Sequence, residues 1–442
     1  MHNGFKIPAA AILAAAAGLT TYSAMAQEAG GITASATTGI GVISDDDGTR
    51  ARGDLAFSLG SVTRTQGFEL GISTGLEYPD ADDEFELADP ELRFSYRRTG
   101  KNAEFEAFAS FLRQEIGTLV LDETPDSIEL RNDTGYRNDT RLGARLTFGK
   151  EAPFGGDFGL GVRRVNYTDL TDDSLNDYVS RDSDLTLRFT VDPRLDLRLT
   201  ARVEDTESEG TGTDRTTTTF GTGADLRISE SLRASLDLNF VEIEESADGG
   251  PTSTDRGPTF ALAILRDLPN GEARSDLSSI LTDDGTRVEV RAGRSHELRL
   301  GEFDWSAGLS RGGDGDVDGL LQVGYGRESR NGSLEAGYQR SVNTSIFGEE
   351  TLVDQVSVGY SYALSDVTNF QTGLAYRNYD YFTEGSESVR KLELDMSLTR
   401  QLTSDIDMVA SFSHERSRTG DEDAESENTI YLGVQRALSW RP

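Results

Sequence analysis

The chain has 442 residues, with 77 acidic against 43 basic side chains, a net charge of −34 and no cysteine. That charge disfavours nucleic acid or an anionic membrane surface as a partner, since both repel such a protein, and the missing cysteine excludes a disulfide framework, a thiolate metal site and a thiol nucleophile. Mean hydropathy is −0.46, and no stretch reaches the roughly 20 apolar residues of a spanning helix, which excludes a helical membrane protein.

The first element is Lys6, then an alanine-rich apolar run over 7–19, then small residues ending in Ala24-Met25-Ala26 before Gln27. A basic residue, a short apolar stretch and small residues at the last and third-last positions make a cleavable secretory signal. Residues 1–26 are therefore expected to be removed before Gln27, leaving 27–442 as one domain. Removal takes away Lys6 and no acid, so the mature chain is still more acidic.

From residue 30 onward nearly every segment alternates apolar and polar residues, a period of two. In 184–192, Leu185, Leu187, Phe189 and Val191 oppose Thr186, Arg188 and Thr190. In 194–204, Leu195, Leu197, Leu199, Ala201 and Val203 point one way. The same holds in 232–240 and 391–400, where Leu392, Leu394, Met396 and Leu398 oppose Lys391, Glu393, Asp395, Ser397 and Thr399.

Ten short turns separate these segments, near 64–67, 99–102, 149–157, 192–194, 229–231, 267–272, 298–302, 328–332, 365–367 and 402–405. They define twenty strands, and one more at each end predicts about 22, within a range of 18–22 because 272–281 and 286–295 have weak apolar faces. Acidic residues crowd into the other set of connections, at 45–47, 80–91, 122–126, 169–177, 204–214, 242–248, 314–318 and 421–427.

In water the apolar face of such strands would be a core; in a transmembrane barrel it faces lipid and the polar face lines the lumen. The apolar count is nearly constant from strand to strand, as a bilayer of fixed thickness demands. Tyr360, Tyr362, Tyr376, Tyr379, Tyr381 and Phe382 gather toward strand ends, as an interfacial girdle would. Closure also removes the two edges an open sheet would leave. A propeller or β-helix, the alternative, would show a fixed-period repeat, and none is evident. The expected fold is all-β: a transmembrane, antiparallel up-and-down barrel with short periplasmic turns and acidic extracellular loops.

The inward phase carries Arg145, Arg163, Arg188, Arg198, Arg202, Arg227, Arg233, Arg291 and Lys391 against Asp196, Asp237, Glu289, Glu393 and Asp395. Rings of charge set ion selectivity, whereas opposite charges on neighbouring strands neutralise one another as structural ladders. Both readings stand, and with acidic loops at the mouth a mild cation preference follows. So wide a barrel cannot be filled by its own wall. Few residues lie between Gln27 and the first strand, so no separate plug of the kind in a TonB-dependent receptor is expected, and the long 117–136 connection is the expected folded-in constriction.

The last strands, Gln401-Leu402-Thr403-Ser404-Asp405-Ile406-Asp407, Ser411-Phe412-Ser413-His414-Glu415-Arg416-Ser417 and Glu427-Asn428-Thr429-Ile430-Tyr431-Leu432-Gly433-Val434, resemble the end of large proteobacterial outer-membrane barrels of the putative β-barrel porin 2 type. The resemblance covers about the last hundred residues and implies an outer-membrane barrel, in a group of which some members accompany exopolysaccharide export. Such barrels end on an aromatic read by the assembly machinery. Trp440 fits that role, with Arg441 and Pro442 after it.

Motifs that would carry chemistry are incomplete. Gly71-Ile72-Ser73-Thr74-Gly75 matches a nucleophile elbow, but the motif needs a following helix and a histidine base. Of the histidines only His296 and His414 follow the signal, neither in a partner motif. Asp314, Asp316 and Asp318 begin like a calcium loop, yet Tyr325 stands where a bidentate Glu belongs. No cofactor is expected. The expected function is a porin-like channel or export conduit for polar solutes or exopolysaccharide, with no chemical step. The alternative is a structural or adhesive barrel with a closed lumen and acidic ligand-contacting loops, and the third reading is a membrane-embedded hydrolase. Expected partners are outer-membrane lipid and lipopolysaccharide, the barrel-assembly machinery and a periplasmic export component.

Overall fold

The computed structural model describes residues 31–440 apart from 47, 79–85, 117–134, 171–174, 210–212, 248–249, 251, 283–284, 314, 345–349, 383–386 and 422. The expected cleavage site, Ala24, Ala26 and Gln27, lies outside the described residues, as do Asp314, Arg441, Pro442 and most of the 117–136 connection.

The described elements are 22 strands. The first eight are β1 (Gly31–Asp45), β2 (Gly48–Val62), β3 (Gln66–Tyr78), β4 (Glu86–Thr99), β5 (Ala103–Glu115), β6 (Tyr136–Phe148), β7 (Phe154–Thr168) and β8 (Tyr178–Asp192). Next come β9 (Leu195–Ser208), β10 (Thr213–Ser229), β11 (Leu232–Ala247), β12 (Thr252–Leu268), β13 (Gly271–Thr282), β14 (Gly285–Leu298) and β15 (Gly301–Arg311). The last are β16 (Val317–Ser329), β17 (Gly332–Thr344), β18 (Glu350–Ser365), β19 (Thr368–Tyr381), β20 (Val389–Gln401), β21 (Ile406–Thr419) and β22 (Glu425–Trp440). Each pairs antiparallel with its neighbours in sequence, and β1 pairs with β22, so the sheet closes with no free edge.

All ten short turns fall where their Gly, Pro, Asn and Ser clusters predict. Pro193 and Pro269 occupy two of them, where a fixed φ and a missing N–H are tolerated, and Gly271, after Pro269, takes a φ of 129° open to glycine. The two weak segments form β13 and β14, which puts the count at 22. In β13 the outward serines stand opposite apolar residues, Ser275 opposite Ile264 and Ser279 opposite Val288, and the Ser279 hydroxyl accepts a hydrogen bond from the Phe260 N–H at 2.9 Å.

Register sorts the side chains into two faces, because residues directly opposite share one. Ile40 lies opposite Val434, and Phe57 opposite Ile72, and these belong to a belt of exposed apolar side chains around the wall. Ile40 is 73% exposed and Leu432 56%. No soluble protein leaves so large a continuous apolar surface in water; the belt is the lipid-facing band of an outer-membrane barrel.

At the short-turn rim this band ends in outward rings. Tyr96 meets Phe105 at 6.3 Å, Phe154 meets Phe148 at 6.0 Å and Phe189 at 5.0 Å, and Tyr360 stacks on Tyr362 at 6.1 Å. These are the interfacial girdle. Tyr379 and Tyr381 do not join it: their odd positions in β19 turn them inward, where they pack with Val353 and Val389.

At the seam, Gly39 and Gly41 occupy inward positions of β1, leaving a bare saddle. Over it Tyr431 of β22 reaches past β1 and donates its hydroxyl hydrogen to Asp54 of β2 at 2.8 Å. A Cβ on Gly41 would stand 2.7 Å from the Tyr431 ring and from the Leu432 carbonyl oxygen. Gly41→Val is therefore expected to cost about 1–3 kcal/mol by overpacking. Tyr431→Phe, which keeps the ring but loses the bond to a carboxylate, is expected to cost about 2 kcal/mol. Urea unfolding in phospholipid vesicles, read by the heat-modifiable gel shift, measures both. A Gly41→Val barrel as stable as the wild type would contradict this packing of the seam.

Candidate functional site: the lumen wall

The inward face is polar and densely charged, and its charges are joined sideways across strands. Arg198 of β9 spans β10 to reach Asp237 of β11 at 2.8 Å, bonding Asp225 of β10 at 2.6 Å on the way. Gly221 and Gly223 make this crossing of β10 feasible, since a Cβ on Gly223 would fall 2.2 Å from Asp237 Oδ1. The same device recurs on β7, where Arg145 of β6 passes above Gly159 to Asp184 of β8 at 3.2 Å. A Gly-x-Gly pair inside a strand thus lets a long side chain link strands two apart.

Every lumen charge singled out by alternation occupies an inward register position. Arg163 bonds Asp139 at 2.7 Å. Lys391 bridges Glu393 and Glu415, each at 2.9 Å, and Arg377 adds a second contact to Glu393 at 2.7 Å. Arg202 pairs with Glu204 at 2.9 Å and Arg233 with Asp267 at 2.9 Å. Arg188 donates to the Gly149 carbonyl of a short turn at 3.3 Å. Asp395 and the Arg227 side chain are the exceptions, with no hydrogen-bond or ion-pair partner among the described residues.

Three groupings were not singled out by alternation. Asp139 collects Arg137 at 3.4 Å and Arg141 at 2.9 Å besides Arg163, and both Asp139 and Arg137 are buried. Arg50 and Arg52 of β2 share Glu77 of β3, and Arg52 also holds Asp54 at 2.9 Å. At the loop end, Arg287 of β14 is bonded to Glu350 of β18, both buried, and also contacts Glu289 at 3.3 Å. This pair ties strands four apart at the mouth. The parity that places Arg145 inward also places Arg137 and Arg141 there; no sequence spacing points to Glu350.

Three apolar clusters pack at the same end among the described residues. Ile116, Val165, Tyr167, Leu175 and Tyr178 pack together, with Leu170 against them. Val353, Tyr379 and Val389 form the second, and Leu320, Val342 and Leu352 the third. Deeper in, a recess of about 460 Å³ opens between β1–β5 and β19–β22, lined among others by Arg52, Asp54, Glu91, Asp395, Gln371 and Tyr431.

The motif candidates are dispersed. Gly71 to Gly75 lie within β3, which runs on to Tyr78 with a bulge opposite β4 between Ser73 and Gly75. Ser73 faces inward, while His296 and His414 face outward; His414 bonds Asn428 at 2.9 Å. Asp318 is drawn into β16 opposite Ser310, and Asp316 lies in the turn before it. Among the described residues no group of three or more His, Cys, Asp or Glu is placed to hold a metal ion. Arg436, outward at the short-turn rim, is neutralised by Asp405 at 2.9 Å. The hydrogen bond from Arg436 holds the Asp405 carboxyl below its ordinary range, so the tie persists at neutral pH and is lost as pH falls through that depressed pKa.

No family model matches the chain, and no match is found among curated proteins. Its backbone is similar to solved outer-membrane barrels. The siderophore receptor PirA from Acinetobacter baumannii superposes with a TM-score of 0.58 at 8% identity, over 93% of this chain and 81% of that one. The FrpB iron transporter from Neisseria meningitidis gives 0.60 at 8%, over 93% and 83%. The ferric-catecholate import receptor Fiu from E. coli K12 gives 0.59 at 11%, over 93% and 82%. At such identities the likeness is one of fold.

Removing a carboxylate shared by three guanidinium groups leaves buried positive charge under-compensated. Asp139→Asn is expected to cost about 3 kcal/mol, read by urea unfolding in vesicles, and adding Arg141→Gln is expected to recover part of it. An Asp139→Asn barrel with unchanged stability would show that the cluster does not hold the wall.

Proposed function

We propose that the barrel is a porin-like conduit carrying small polar solutes across the outer membrane, with no chemical step. The observation that carries this reading is the inward face: a polar, ion-paired wall around a lumen too wide for its own side chains to fill. Lateral pairing neutralises most charge locally, so the wall hydrates a path without binding its cargo tightly. The acidic excess of the chain, together with the unpartnered Asp395, favours cations.

Exopolysaccharide export is less well supported. A sugar chain is expected to slide over exposed aromatic platforms, yet Tyr167, Tyr178 and Tyr379 are buried and Tyr431 is tied to Asp54. Phe108 is the inward ring with a large exposed surface, lying over Gly143. Solved barrels of similar fold are a siderophore receptor, an iron transporter and a ferric-catecholate import receptor, which favours solute passage over a purely structural role. The resemblance of the last strands to the porin 2 type agrees with that. The closed-lumen alternative draws on the Arg287 and Glu350 tie and the apolar clusters at the mouth.

Single-channel recording in a planar bilayer under a salt gradient separates the two. Stable steps with mild cation preference are expected, Asp395→Asn lowering that preference and Glu350→Gln raising conductance by releasing the mouth. Silence from folded, heat-modifiable protein would overturn the conduit and leave a closed barrel.

A further inference from the structure

Basic side chains are shared unevenly around the lumen. β6 alone turns Arg137, Arg141 and Arg145 inward, whereas from β15 round to β1 the inward positions carry, among the described residues, only Arg377 and Lys391. Both are taken, Arg377 by Glu393 and Lys391 by Glu393 and Glu415. Asp395, four residues along β20 from Lys391, has no hydrogen-bond or ion-pair partner among the described residues. The wall beside it is low. Asp395 stands between Gly373 of β19 and Ser413 of β21, and the next inward pair along the same ladder is Ser397 with Ser411. No long side chain rises from these positions to cover the carboxylate, and the recess of about 460 Å³ opens over them.

The other end of the recess is aromatic and apolar. Gly41 and Gly433 stand opposite each other across the seam, and the Tyr431 ring lies over both: a Cβ on Gly433 would fall 2.6 Å from its Cζ, and one on Gly41 2.8 Å from the same atom. Pinned there by Asp54, the ring is partly open to the recess beside Ile43, its direct partner in register. Arg52, the one base lining the recess, is held by Asp54 and Glu77. Tyr431 and Asp395 are two strands and two residues apart, about 12 Å between their backbones.

We infer that this recess is a binding site for a small organic cation with an apolar body, its ammonium set on Asp395 between the Ser413 and Ser397 hydroxyls and its body lying against Tyr431 and Ile43. The ammonium donates charge-assisted hydrogen bonds to the carboxylate, and the aromatic ring favours the carbon skeleton of a cation over that of an anion. A recess of this volume suits a small molecule held by apolar surface and oriented by a few polar groups. An inorganic cation would leave the Tyr431 end unused, and a single fixed ring suits a small solute better than a sliding chain. As a statement about cargo the inference rests on the conduit reading, and it names the class of solute that dwells in the lumen.

Saturation-transfer NMR of the full barrel in lipid nanodiscs, with 4-phenylbutylammonium as probe and 4-phenylbutanol as its neutral counterpart, tests the inference. Wild-type protein is expected to bind the ammonium more tightly than the alcohol. Asp395→Asn is expected to weaken the ammonium about fivefold, as the loss of one charged contact in a wet site does, and to leave the alcohol unaffected. Tyr431→Leu is expected to weaken both probes, whereas Glu335→Gln, which removes a carboxylate of the same sector outside the recess, leaves both unchanged. Folding of each variant is checked by heat-modifiability, and Asp395→Asn alone carries the test if Tyr431→Leu misfolds. Equal affinity for the two probes, or undiminished ammonium binding by Asp395→Asn, would overturn the site whether or not the barrel conducts. Selective binding by a barrel that passes no current would uphold the site and count against the conduit alone.

Discussion

A bilayer interior has no hydrogen-bond partner for the peptide group, and from that the rest of this structure follows. A sheet that crosses such a medium must pair every backbone N–H and C=O within itself. Here that is met by the ladder between β1 and β22, from Ala34 opposite Trp440 to Ser44 opposite Ile430. Once the sheet is closed, one face of every strand must be apolar and the other is left to water, and a period of two delivers both from the same sequence. The ring pair of Phe57 and Trp440, with centroids 6.3 Å apart, anchors the lipid side of the seam, and Tyr431 with Asp54 anchors its lumen side.

Confining polar residues to one face concentrates charge in the lumen, and its neutralisation shapes the wall. A long side chain can cross a strand when the strand between has no Cβ, and Gly-x-Gly pairs sit at inward positions of β1, β7 and β10, crossed by Tyr431, Arg145 and Arg198 respectively. The resulting contacts over Gly159 and Gly223 act like rivets joining strands two apart, a reach the backbone ladder lacks. A lumen lined this way presents paired charge, and pairing lowers its power to trap an ion while keeping the path wet. The loop end is different: the buried Arg287 and Glu350 and the apolar clusters give it the buried packing described for this wall.

Much of this was legible in the sequence because its physics is local. Ten turns are set by Gly, Pro and Asn chemistry, and the facing of Arg198, Asp237, Lys391 and Glu393 by parity alone. Parity also explains the error over Tyr379 and Tyr381, which were grouped with Tyr360 by proximity to a strand end although their odd positions turn them inward. β13 reads weakly because its outward Ser275 and Ser279 stand opposite apolar Ile264 of β12 and Val288 of β14, information held in pairing and not in the segment. Glu350 was invisible for a similar reason: its partner Arg287 is four strands away, and only the closed geometry brings them together. Asp316 and Asp318 show the converse, a suggestive local spacing that the strand takes over, leaving one carboxylate in the turn and one in the wall.

The central claim is that the apolar face of each strand meets lipid and the polar face meets water in the lumen. Because the chain has no native cysteine, single cysteines placed one at a time from Asp196 to Glu204 along β9 test it cleanly in reconstituted vesicles. Cysteines at 196, 198, 200, 202 and 204 are expected to react with a water-soluble maleimide, and those at 197, 199, 201 and 203 to be shielded and instead accessible to a lipid-phase quencher. Uniform shielding on both faces, or labelling with no period of two, would contradict a hydrated, polar lumen behind a lipid-facing wall.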